Sequence, residues 1–146
     1  MRFPGAREAS PPSAVAEAMQ RIEHMLGGEK ADLSDIELDL DATTNFEDSV
    51  YAAARAIPCG EVRTYGEIAQ TIGEPGASRA VGAALGRNPV PIIIPCHRIL
   101  GSHGKSGGFS APGGAATKFR MLDIEGAKRP GDPELFESLP LAVRPD

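Results

Sequence analysis

Thr64-Tyr65-Gly66-Glu67-Ile68-Ala69-Gln70-Thr71-Ile72-Gly73-Glu74-Pro75-Gly76-Ala77-Ser78-Arg79-Ala80-Val81-Gly82-Ala83-Ala84-Leu85-Gly86 reads as two short helices joined by a tight turn. Thr64 and Glu67 have the spacing of a capping box, in which the hydroxyl and the carboxylate each satisfy an amide at the helix start. Ile68, Ala69 and Ile72 carry the helix on, Gly73 stops it, and Glu74-Pro75-Gly76 turns the chain. From Ala77 to Gly86 the large apolar residues are Val81 and Leu85, with Ala84 beside them, a single narrow stripe facing a core. This is the helix-turn-helix pattern, whose second helix enters a groove of DNA.

The second helix is nearly bare. Gly82 and Gly86 each cost about 1 kcal/mol relative to alanine in a helix interior. A face of such small residues permits close approach of the backbone, either to a neighbouring helix or to a nucleic acid surface. Direct reading of bases needs forked or amide side chains, and residues 78–86 supply one long side chain, Arg79. Binding through this helix is therefore expected to be largely blind to sequence. A lone arginine there suits either a surface ion pair or the filling of a base stack after a nucleotide has rotated out.

Immediately downstream, Asn88-Pro89-Val90-Pro91-Ile92-Ile93-Ile94-Pro95-Cys96-His97-Arg98-Ile99 is an apolar run stopped by proline before a Cys-His-Arg triplet. The run predicts a buried strand, with the proline fixing where the cysteine emerges. An imidazole and a guanidinium next to a thiol favour the reactive thiolate, whereas a free cysteine without such company is usually an inert core residue. Cys59, in the turn between Pro58 and Gly60, has no histidine nearby in sequence and receives no role.

The chain has 146 residues, 41% of them hydrophobic, enough for one core and too few for two full domains. Two cysteines make no disulfide framework, and no segment reads as a signal peptide or a membrane span, so a soluble, cytoplasmic protein is expected, nuclear if the source is eukaryotic. The net charge of −5 conceals an asymmetry: residues 51–122 carry eight lysines and arginines against three acids. That basic middle fits contact with a phosphate backbone, and it also fits an unevenly charged solvated surface.

Around this middle, residues 1–12 read as a tail, and Ala14 to Leu26 as an amphipathic helix closed by Gly27-Gly28. Asp32 to Asp41 alternates Ile36, Leu38 and Leu40 with acids, which predicts a short half-buried strand. Thr44 and Glu47 form another capping box, opening a helix with Val50, Ala53, Ala54 and Ile57 as its stripe. Residues 101–116 are rich enough in Gly, Ser and Ala to read as loop, and Lys118 to Ile124 as a short closing helix ended by Gly126.

Ile57-Pro58-Cys59-Gly60-Glu61-Val62-Arg63-Thr64-Tyr65-Gly66-Glu67-Ile68-Ala69, Ser78-Arg79-Ala80-Val81-Gly82, Asn88-Pro89-Val90-Pro91 and Ile94-Pro95-Cys96-His97-Arg98 together resemble the O6-alkylguanine-DNA alkyltransferases, over roughly Phe46 to Gly126. The resemblance implies a mainly α fold with short strands. Within it, a winged-helix-like helix-turn-helix domain (residues 44–127) carries the active-site cysteine. A truncated remnant of an α/β N-terminal subdomain (1–43) precedes it and a C-terminal tail (128–146) follows. It implies single-turnover repair of double-stranded DNA by a monomer, with the alkyl group moving from O6-alkylguanine, and by extension O4-alkylthymine, to Cys96. His97 would activate the cysteine through water, oriented by Glu125, and Arg98 would be structural. Tyr65 would serve the base nitrogen and crowd the phosphate, and Arg79 would fill the vacated stack. Asn88, Ile99, Phe109 and Ser110 would line the pocket, and Gly66, Ala80, Gly82 and Ser102 would meet the DNA.

No cofactor is expected. Cys96, His97 and His103 cannot share one tetrahedral zinc ion, because neighbouring residues do not easily ligate the same metal, and the zinc ligands of the family lie in the part missing here. His24 reads as a surface or packing residue. The main alternative is a module that binds alkylated guanine and recruits repair factors without accepting the alkyl group; such alkyltransferase-like proteins replace the cysteine, which this chain retains. A plain helix-turn-helix regulator would need base-reading side chains along residues 78–86. A cysteine hydrolase would need an oxyanion loop that Pro-Cys-His-Arg does not offer.

Overall fold

The computed structural model describes residues 5–29, 31–101 and 114–127. It is mostly helical: α1 (Ser13–Leu26), α2 (Asn45–Arg55), β1 (Arg63–Thr64), α3 (Tyr65–Thr71), α4 (Ser78–Gly86), a 3-10 turn at Cys96–Arg98, β2 (Ile99–Leu100) and α5 (Gly114–Ile124). β1 and β2 pair in parallel, Arg63 opposite Ile99 and Thr64 opposite Leu100. Among the described residues no helix is long and apolar enough to cross a membrane.

Both capping boxes form. Thr44 accepts from the Glu47 amide while the Glu47 carboxylate accepts from the Thr44 amide, and Thr64 and Glu67 do the same at α3. These local bonds fix where α2 and α3 begin, which lets Val50, Tyr51 and Ala54 of α2 meet Ile68 and Ala69 of α3 and Val81, Ala84 and Leu85 of α4 in one core. The Tyr51 hydroxyl donates to the Ala84 carbonyl at 2.7 Å and pins α2 to α4. Burial, helped by the nearby Glu47 carboxylate, pushes that hydroxyl up to about 12, so it stays a donor. A separate cluster of Met25, Leu33, Ile93 and Met121 ties α1 to α5.

Three sequence expectations are corrected. Ile36, Leu38 and Leu40 are half-buried and the acids between them exposed, as the alternation predicts, but residues 36–40 form no strand. Period-two burial needs only an extended chain over a core; a strand also needs a partner ladder.

The apolar run before Cys96 is buried but is not a strand either. Pro89, Pro91 and Pro95 have no N–H to give a ladder, and Ile92 adopts φ 79°. The run folds around Asn88 instead: the Asn88 amide donates to the Ile94 carbonyl at 2.9 Å, its oxygen accepts from the Val90 N–H at 2.9 Å, and the Ile94 N–H returns to the Val90 carbonyl at 3.0 Å. The cysteine therefore leaves in a 3-10 turn rather than in an extended segment.

The closing helix begins earlier than its periodicity predicts, at Gly114 rather than Lys118. Gly114-Ala115-Ala116-Thr117 carries no apolar stripe that would reveal a helix.

Candidate active site

The 3-10 turn buries both Cys96, within the main core, and His97, 3% and 0% exposed. Glu125, just past α5, reaches beneath the turn. Its Oε1 lies 2.7 Å from His97 Nε2, and Arg98 forks onto the same carboxylate with Nε to Oε2 at 3.0 Å and Nη2 to Oε1 at 2.9 Å. Arg98 Nη1 also donates to the Ile57 carbonyl at 2.8 Å, fastening the turn to the end of α2. The backbone closes in here as well: Gly60 sits at φ 92°, and a side chain there would come within 3.3 Å of the Glu125 carbonyl.

Protonation follows from this geometry. Burial alone would raise the Glu125 carboxyl, but the hydrogen bonds from His97 and Arg98 outweigh it and hold the group down at about 2. Burial drives the His97 imidazole below its usual range against the pull of Glu125. A neutral His97 beside a carboxylate carries its proton on Nε2 and donates that N–H to Glu125, which leaves Nδ1 as the lone-pair atom. Nδ1 is buried and has no hydrogen-bond partner among the described residues. A base held in one tautomer, with its accepting nitrogen uncommitted, is what activation of an adjacent thiol requires.

Burial raises the Cys96 thiol, opposed by a hydrogen bond from the Asn88 side chain and by the Lys118 charge. Tyr65, the first residue of α3, faces the same centre: burial, then the charge of Cys96, raises its hydroxyl, so it remains a proton donor. The structure thus gathers Cys96, His97, Glu125, Tyr65 and Asn88. The Ile99 side chain is wholly buried in the core, so only its backbone can meet a ligand. Ser102, Phe109 and Ser110 lie outside the described residues.

On α4, Arg79, Ala80, Ala83 and Gly86 are exposed and Gly82 is half-buried. A Cβ at Gly86 would meet nothing, and one at Gly82 would touch only the Tyr65 ring at an ordinary 3.9 Å. Tight helix-helix packing therefore does not account for these glycines, and the bare face points outward. Gly66 likewise has room for a side chain, with Ser78 Oγ at 3.7 Å.

Sequence reasoning missed Lys118, which counted only towards the basic middle and a helix start. It is wholly buried, with Nζ 5.8 Å from the centre of the Tyr65 ring, and burial lowers its ammonium to about 8. No local signal reveals this, because a lysine on an apolar helix ordinarily reaches out to water. A cleft of about 620 Å³ behind the turn, lined by Arg55, Pro58, Cys59, Ile93 and Arg98 among others, does not include Cys96 or His97.

A family model described as the 6-O-methylguanine DNA methyltransferase DNA binding domain matches residues 45–127. A methylated-DNA–protein-cysteine methyltransferase of Mycobacterium tuberculosis is 44% identical over 126 residues, covering 86% of this chain and 74% of the relative. The crystal structure of M. tuberculosis OGT in complex with DNA superposes with a TM-score of 0.70 at 45% identity, over 83% of this chain and 73% of that one. S. pombe Atl1, solved with damaged DNA containing O6-carboxymethylguanine, is similar at a TM-score of 0.50 and 34% identity, over 62% of this chain and 82% of its own.

Proposed function

The chain belongs to the 6-O-methylguanine DNA methyltransferase family, and from that premise we propose that Cys96 is the residue that receives the alkyl group. The reaction is that of the family: DNA repair by transfer of an alkyl group from methylated DNA to a protein cysteine. The observation that carries the assignment is the buried His97, held through Nε2 by Glu125 at 2.7 Å and next in sequence to a buried thiol.

The thiol proton passes to His97 Nδ1 through a bridging water, and the sulfur attacks the alkyl carbon on O6. The S–C bond forms, the C–O6 bond breaks, and the electron pair goes to the departing guanine, which takes a proton from the Tyr65 hydroxyl. A thioether has no route back to a thiol here, so each molecule acts once. Mixed with excess duplex containing O6-methylguanine, the protein should remove methyl groups in an amount equal to its own and then stop. Continued turnover, or binding with no methyl lost, would refute this reading; the second outcome is the one that a recruiting module predicts.

Residues 44–127 form the working unit in this reading, in a cellular compartment that holds DNA: the cytoplasm, or the nucleus in a eukaryote. The bare outward face of α4 lies against the duplex, and Arg79 fills the stack left by the rotated nucleotide. Arg79→Ala should then slow repair of duplex at least tenfold more than reaction with free O6-substituted guanine base; equal slowing in single-turnover assays would remove the stacking role. Gly82→Ala should raise the free energy of unfolding by about 0.5–1 kcal/mol while weakening duplex binding. A destabilised Gly82→Ala in urea titrations would show that the glycine serves internal packing after all.

A further inference from the structure

We propose that Lys118 is a positioning residue for the transfer: its ammonium, enclosed between the Tyr65 ring and the turn bearing Cys96, holds the charge of the thiolate and the plane of the tyrosine. The inference rests on Cys96 being the acceptor, and it adds a residue that neither the sequence motifs nor the histidine relay requires.

The geometry is that of a buried cation with two neighbours. α5 packs against the Cys96–Arg98 turn, and Lys118 comes from the buried side of α5, beside Phe119, Met121 and Leu122. Its Nζ is within cation-π range of Tyr65 at 5.8 Å, and its charge acts on both Cys96 and His97.

Counting charges shows why such a group is needed. Among the described residues, the charged and titratable groups around the thiol are His97, Arg98 and Glu125 below it, Tyr65 on α3, Tyr51 with Glu47 on α2 and the Arg87 paired with Glu47, and Lys118 on α5. Arg98 is committed to Glu125 in a bidentate pair, His97 is held neutral, and both tyrosines are held protonated. A thiolate formed there would face the Lys118 ammonium, whose charge bears on Cys96, and a buried anion with no cation near it is strongly disfavoured. Burial lowers the lysine, and the Cys96 charge pulls it the other way, so each group sustains the ionised form of the other.

The same ammonium lies over the face of Tyr65, whose hydroxyl is the proton donor in the reading above. A single side chain from α5 thereby sets the charge of the nucleophile and the orientation of the proton donor.

The test is direct titration of Cys96 by thiolate ultraviolet absorbance, in a Cys59→Ser background so that one thiol is read. Lys118→Met should move the ionisation up by about one pH unit, leaving about tenfold less thiolate at neutral pH. Lys118→Arg, which keeps the charge, should move it by much less. An unchanged profile in Lys118→Met, or an equal shift in Lys118→Arg, would overturn the proposal. A reciprocal measurement needs no variant at Lys118: capping Cys96 with iodoacetamide should lower the titration of the Lys118 Cε signal in NMR, and a titration that does not move would also overturn it. Neither measurement uses DNA, so a failure of methyl transfer and a failure of this inference give different results.

Discussion

Glu125→Ala is expected to destabilise the protein by about 3–5 kcal/mol, the cost typical of removing one partner from a buried ion pair. The effect is large because Glu125 serves two buried groups at once. Without it, Arg98 keeps only the Ile57 carbonyl, and His97 loses the acceptor that fixes its tautomer.

Acid should produce the same loss reversibly. The folded-state pKa of Glu125 lies below its ordinary value, so its contribution is complete above about 4.5 and disappears as the pH falls towards about 2. The size of that shift corresponds to roughly 3 kcal/mol at neutral pH. His97 acts in the same direction and earlier: its folded pKa is depressed, so below the ordinary imidazole range the unfolded chain takes up a proton that the folded one refuses. Urea titrations from pH 7 to pH 3 should show stability falling with pH, and Glu125→Gln should start lower and fall less steeply below pH 4.5. Parallel pH profiles for wild type and Glu125→Gln, together with a loss under 1 kcal/mol in Glu125→Ala, would contradict the network's assigned role.

Cys96→Ala should abolish methyl transfer while leaving binding to duplex DNA within a few fold of wild type. The surface proposed to meet DNA, on α3 and α4, does not include the thiol, and the truncation removes a single sulfur atom from the core. Cys59→Ser should transfer normally, because Cys59 lines the cleft behind the turn, whose walls include neither His97 nor Tyr65. Single-turnover assays and duplex titrations with the three proteins separate these outcomes. Methyl transfer surviving in Cys96→Ala would move the acceptor elsewhere; loss of binding in the same variant would make the thiol part of the DNA contact.

What the sequence made legible follows from how far apart the interacting residues are. The capping boxes at Thr44 and Thr64 span three residues each and depend on nothing else, so their spacing locates the starts of α2 and α3. Val81, Ala84 and Leu85 face the core as their helical period requires. The run from Val90 to Ile94 misleads because its hydrophobicity reports burial, whereas its conformation is decided by three prolines and the Asn88 amide. The acids between Asp32 and Asp41 mislead for a related reason: alternation fixes which side chains are covered, and among the described residues no neighbouring strand pairs with them.

At the site, Cys96 and His97 are visible as neighbours in the chain, but Glu125 lies 28 residues from His97 and enters only through the family resemblance. Arg98, assigned a structural role on the same basis, forms the fork that holds that carboxylate in place. Lys118 is illegible altogether, since what buries it is the docking of α5 against a turn formed elsewhere in the chain.

In the proposed reaction Cys96, and no other residue, ends up carrying the alkyl group. The most direct measurement is peptide-mapping mass spectrometry of the wild-type protein after incubation with a duplex containing a single O6-methylguanine. One methyl in place of one hydrogen, confined to the peptide that contains Cys96 and equal in amount to the guanine restored, is the predicted result. A methyl on Cys59, or restored guanine with an unmodified Cys96, would rule out Cys96 as the acceptor.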